Sequence, residues 1–176
     1  QTRDVETEIA TVHTQTTQAT NKKEATAWCD GFTSSDSSPD AIDKKARALL
    51  SAPQPRKDAI AEVCPKKKEF AEAFAKDAAG RVVDSDFSCM SDGSSVTVSG
   101  TATVAGPTLA SLGSYDVRIG IVVTSGAETS GVAPSDTISM TIPQGGSAPF
   151  SSTVPDPSNS TGRCAVRTLG LWPSGV

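Results

Sequence analysis

The chain has 176 residues, of which 36% are apolar and 14 are glycine, and a formal net charge of −4. That length fits one domain or two small ones, with a core of modest size. The acidic balance excludes a nucleic-acid-binding surface, which is basic over a whole domain, and no apolar run approaches the ~20 residues of a membrane-spanning helix.

From the start to about residue 30, Val5, Ile9, Val12, Thr16 and Ala19 recur at steps of three and four, a narrow apolar stripe that predicts a helix. The segment is rich in threonine, which lowers helix propensity. It reads either as an amphipathic stalk leading from a membrane anchor or as the first helix of a bundle. Trp28 and Phe32 flank Cys29 and mark where it docks. A Ser/Asp/Pro loop follows. Ser38-Pro39-Asp40 then gives a helix start, with a capping serine, a proline at the first helical position and an acid in the first turn. Ile42, Ala46, Leu49 and Leu50 form the apolar side, and Pro53 and Pro55 end the segment. A further helix is predicted from about Arg56 through Ile60 and Val63. Pro65 kinks it or opens another, which carries Phe70, Phe74 and Ala78 at four-residue steps, with Gly80 as its capping glycine.

Beyond Gly80 the period becomes two. Val83, Ser85, Phe87 and Cys89 are expected on one face of a strand, Asp92-Gly93 in a turn, and Val96, Val98, Gly100, Ala102 and Val104 on one face of the next. The strongest signal is Tyr115 to Thr124, whose odd positions read Tyr, Val, Ile, Ile, Val. Five such side chains, once buried, contribute about 7–15 kcal/mol before entropy is counted. Ile138, Met140 and Ile142, then Phe150, Ser152 and Val154, then Cys164, Val166 and Thr168 complete a set of short strands, and Leu169, Leu171 and Trp172 close the chain. The expected fold is α+β: a small helical bundle over 1–80, then an antiparallel immunoglobulin-like β-sandwich over 81–176.

The four cysteines lack the C-x-x-C spacing of a zinc or redox site, which predicts two disulfides. Of three connectivities, Cys29–Cys64 and Cys89–Cys164 keep each bridge within one compositional half. Such bridges persist outside the cytoplasm, so a secreted or envelope-anchored protein is expected. Because the chain opens on Gln1 and not on Met, it reads as processed or trimmed, so the lack of a visible targeting segment decides nothing and membrane anchoring upstream of Gln1 stays open.

The strand Tyr115-Asp116-Val117-Arg118-Ile119, a second strand of alternating apolar residues, and the segment from Pro143 to Phe150 together resemble the FxLYD-type domain. That is an immunoglobulin-like module of bacterial envelope proteins and lipoproteins. The resemblance covers about residues 81–176, and Leu112-Gly113-Ser114 stands where the family has its Phe-x-Leu. It implies a non-catalytic extracytoplasmic domain and transfers no catalytic residue.

A nucleophilic triad needs a histidine base, and the one histidine, His13, lies in the N-terminal helix away from any strand-to-helix serine. No catalytic residue and no cofactor are expected. Asp84, Asp86 and Asp92 are the weak candidates for a calcium ion, because hard carboxylate oxygens near a turn suit that cation; turn chemistry accounts for the same residues. As a glycosidase pair, Asp84 and Asp86 lack a cleft. The basic residues Arg56, Lys57, Lys66, Lys67 and Lys68 suggest a polyanion contact or, interleaved with acids, a solvated helix face. Asn159-Ser160-Thr161 is a formal glycosylation sequon. The functional expectation is a non-enzymatic interaction or structural module that binds a protein or an envelope polymer. The alternatives are a secreted inhibitor acting through Gly126–Pro134 or Pro155–Gly162, and a carboxylate-based hydrolase.

Overall fold

The computed structural model describes residues 2–77, 82–157 and 163–176. Its elements are α1 (Thr2–Asp30), a 3₁₀ turn (Ser34–Asp36), α2 (Pro39–Ser51), α3 (Gln54–Val63), α4 (Pro65–Asp77), β1 (Val82–Ser91), β2 (Ser95–Val104), α5 (Pro107–Leu112), β3 (Tyr115–Thr124), β4 (Asp136–Ile142), β5 (Ser147–Pro155) and β6 (Arg163–Pro173). The α+β class is therefore observed. The expected helix end at Ala78 and Gly80 lies outside the described residues, as does the sequon.

The helix boundaries follow from local chemistry. Ser38 Oγ accepts from Ala41 N at 3.2 Å, and Pro39 fills the first position of α2. Proline opens α4 in the same way. Cys64, between α3 and α4, is bridged to Cys29 near the end of α1, with Cα atoms 6.1 Å apart. The short helix α5 is not among the elements expected from the sequence. Gly106, at φ +98°, leads into α5, and Asp77 Oδ2 accepts from Leu109 N at 2.8 Å, so the last residue of α4 caps α5.

Two three-stranded antiparallel sheets form, in the orders β1-β2-β5 and β4-β3-β6. Val96, Val98, Ala102 and Val104 on β2 are buried together with Ala148, Phe150 and Val154 on β5. Gly100 lies opposite Phe150, and a Cβ there would come within 2.9 Å of its ring, so the missing side chain makes room for the phenyl group. In the other sheet all five odd positions of β3 are buried. Val122 and Gly120 are buried too, with Pro134 and Leu169 closing over Gly120 on the outer face. The second bridge, Cys89–Cys164, joins β1 to β6 and so ties one sheet to the other.

The face expected for β1 needs correction. A bulge sets two residues, Asp86 and Phe87, between the pairs Ser85↔Thr101 and Ser88↔Ser99, and Asp86 takes φ +51°. The extra residue inverts the alternation. Val82 and Cys89 therefore pack on the core, whereas Phe87 is 40% exposed.

Helices and sheets share one buried core. The chain has eight aromatic residues, and six of them meet where the two parts join. Phe32 stacks on Phe70 at 5.8 Å and meets Trp28 and Trp172 edge-on at 5.2 and 5.0 Å. Phe70 also reaches Phe74, Tyr115 and Trp172. Lys67 adds a second tie, donating to Cys29 O at 2.8 Å with its ammonium over the Trp172 ring. Leu171 N donates to Ser37 O at 2.9 Å, fixing the 3₁₀ turn against β6.

Candidate functional site

The alternation that buries Tyr115 and Val117 turns Asp116 and Arg118 outward. Their neighbours across the sheet are Thr141 and Ser139 on β4, and Trp172 and Gly170 on β6. The 3₁₀ turn, with Ser34 and Ser37, forms one wall over these strands. The result is a groove of about 530 Å³ on the outer face of the sheet. Gly170 keeps it passable: a Cβ there would lie 3.1 Å from Ser37 Oγ and 3.7 Å from Arg118 Cβ.

The two charges in the groove differ in how they are held. Asp116 Oδ1 accepts from Thr141 Oγ1 at 3.2 Å and from Ser174 Oγ at 2.9 Å. The side chain of Arg118, two residues along the strand and so about 7 Å away, makes no hydrogen bond or ion pair among the described residues. A guanidinium offers five N–H donors in a planar fork that fits carboxylate or phosphate oxygens. Beside it Ser34 and Ser139 offer hydroxyls. The groove can therefore take a polyhydroxylated ligand that bears an anionic group. The sequence carried the signal, since Asp116 and Arg118 are the charged positions of an otherwise apolar strand, but not the wall that makes the face a groove.

A second groove, of about 660 Å³, lies among the helices. Leu50, Ala61, Ala73 and Leu112 give it an apolar floor. Lys68, paired with Glu72, and Lys76 stand on its rim.

The other predicted site residues are dispersed. Asp84 and Asp86 lie on β1 and are exposed, with the bulge between Ser85 and Ser88 breaking their alternation. Asp92 is committed to the β1–β2 hairpin. Its Oδ1 accepts from Ser95 N at 2.8 Å and Ser94 N at 2.9 Å. These bonds hold its carboxyl down at about 2, the Ser95 and Ser94 backbone donors having the largest effect. No group of three His, Cys, Asp or Glu among the described residues is arranged to hold a metal ion. Asp136, also held below the usual carboxylate range, accepts from Ser152 Oγ at 2.5 Å and from Thr137 N, so it links β4 to β5.

His13 is exposed on α1. The basic cluster is divided: Arg56 pairs with Glu24 on α1, Lys68 pairs with Glu72, and Lys67 is turned onto Trp172. The loop from Gly126 to Pro134 is tied down. Arg167 donates to Val132 O and Thr129 O, both at 3.0 Å, and Arg163 donates to Ala127 O. Three of its carbonyls thus face β6. The other loop, Pro155–Gly162, lies partly outside the described residues. Comparison with protein-family models, curated proteins and solved structures finds no match.

Proposed function

We propose that the chain is a non-enzymatic extracytoplasmic module, secreted or envelope-anchored, whose sheet groove receives an envelope polymer carrying hydroxyl and anionic groups. The observation that carries this reading is Arg118, whose guanidinium is unpaired among the described residues, in a groove whose other polar side chains are serine and threonine hydroxyls and the Asp116 carboxylate, with Met140 and Trp172 as apolar surface. Two disulfides fit an oxidising compartment. No helix among the described residues is long and apolar enough to cross a membrane.

An immunoglobulin-like sandwich of FxLYD type is the fold reading that accompanies this function. It is supported by the pairings β2–β5 and β3–β6, which correspond to B–E and C–F of an immunoglobulin sandwich, with β4 in the place of C′. The inhibitor alternative draws no support from the loop at 126–134, where the carbonyls of Ala127, Thr129 and Val132 are turned onto Arg163 and Arg167.

The test is binding of three soluble probes by calorimetry: a polyglycerol phosphate, a polyglucuronate and neutral dextran. Binding of at least one anionic probe is expected, weakened about tenfold or more by Arg118→Ala, the loss of a charge-assisted contact. Equal binding by the variant, or no binding of either anionic probe, overturns the groove as the site.

A further inference from the structure

From Asp4 to Thr20, α1 has no covering. Every residue from Asp4 to Thr20 is exposed, with Val5 at 53%, Ile9 at 65% and Val12 at 60%. At 1.5 Å per residue this arm is about 25 Å long. The helix is anchored from Asn21 onward, where Ala25, Trp28 and Cys29 are buried and Arg56 pairs with Glu24. Successive residues turn by ~100° around a helix. On that projection the stripe Val5–Ile9–Val12–Thr16–Ala19 and the buried side Ala25–Trp28–Cys29 lie on opposite faces, about 180° apart. The stripe faces away from the body of the protein along its whole length.

Charge is distributed unevenly on the same helix. By sequence, three acids (Asp4, Glu6, Glu8) and one arginine (Arg3) fall at one end; Lys22 and Lys23, both exposed, fall near the other, where Glu24 is taken up by Arg56, and no Asp, Glu, Lys or Arg lies between Glu8 and Lys22. The stripe follows the 3-4 spacing of a two-stranded seam, with Ile9 and Thr16 at one core position and Val5, Val12 and Ala19 at the other. Thr16, within it, already spends its hydroxyl on Val12 O at 2.9 Å, so it presents a methyl group and brings no unsatisfied donor.

We infer that α1 is a self-association element that pairs with α1 of a second copy in antiparallel orientation. When Val12 is set opposite Thr16 of the other copy, Ile9 meets Ala19, and Val5 lies along the aliphatic stem of Lys23. In that register the seam's flanking position at Glu8 falls opposite Lys22, and the two-fold axis repeats the pair. A parallel pair would instead gather a net two negative charges from each copy at that end, three acids against Arg3, and would leave Glu8 far from Lys22. Because the stripe points away from the body, the second copy lies along the arm without meeting the helices that anchor it. This pairing stands apart from the groove at Arg118 and does not depend on it.

The test is sedimentation of the whole chain from micromolar to millimolar concentration, with Ile9→Lys, Glu8→Lys, Lys22→Glu and the double variant Glu8→Lys/Lys22→Glu. Each altered side chain is exposed, and retention of both disulfides and of the near-ultraviolet dichroism checks that the fold survives. A concentration-dependent dimer is expected. Ile9→Lys weakens it about tenfold or more, each single charge reversal weakens it about threefold or more, and the double reversal restores it. A chain that stays monomeric throughout overturns the inference. So does a dimer that Ile9→Lys leaves intact, or a double variant no tighter than the single ones.

Discussion

Tyr115 is the only tyrosine in the chain, which makes its chemistry separately readable. It is 1% exposed, its ring lies 5.9 Å from that of Phe70, and its hydroxyl donates to Leu109 O at 2.6 Å. That bond ties the start of β3 to α5 at the junction of helices and sheets. Tyr115→Phe keeps the ring and deletes the donor, leaving a buried carbonyl short of a partner, at a cost of about 1–3 kcal/mol. For a chain of this size, each kcal/mol corresponds to roughly 2–4 °C in melting temperature. The same site has an alkaline signature. Burial first, and then the negative charges of Asp77 and Glu69, push the phenol well above its ordinary value. The unfolded chain releases the proton above about pH 10 while the folded one keeps it. The phenol's contribution is therefore complete below that pH and is lost above it, by up to ~1.4 kcal/mol per pH unit. Two measurements check this: tyrosinate absorbance during alkaline titration, and denaturant unfolding of wild type and Tyr115→Phe at successive pH values. Tyrosinate should appear together with unfolding rather than before it, and the variant should lack that component of the alkaline loss. Free titration of the phenol in the folded protein near its ordinary value would refute the buried placement of Tyr115.

The bridges and one glycine give further expectations. Replacing Cys89 and Cys164 by serine opens a loop of separation 75, which chain-entropy reasoning sets at about 4.5 kcal/mol, against about 3.8 kcal/mol for the separation of 35 between Cys29 and Cys64. Denaturant unfolding of the two double variants should show this order; the reverse order would mean that native-state packing outweighs loop closure. Gly106→Ala combines a left-handed φ of +98° with a Cβ placed 2.7 Å from Asp77 Cγ. It should cost about 1–3 kcal/mol or more in the same assay, and a neutral result would mean that the α4–α5 junction is looser than its geometry indicates.

Local sequence chemistry determined the helix start at Ser38, the alternation of β2 and β3, and the α+β class, and it left Pro65 as either a kink or the helix start that the structure shows. Each rests on spacing within a few residues, as capping and pleating do. The disulfide pairs were legible because composition changes once along the chain and each pair falls on one side of the change. The face of β1 was not legible. Whether Asp86 or Phe87 is the extra residue opposite Gly100 depends on pairing with β2, and one inserted residue exchanges the two faces. Nor was the outer groove, since Asp116 and Arg118 read as a polar strand face until Ser34 and Ser37 from the helical part close over it. The apolar stripe of α1 was plain in the sequence, but only the tertiary structure shows that the body packs on the opposite side and leaves it open. Periodicity fixes which residues share a face, whereas burial of that face is set by segments distant in sequence.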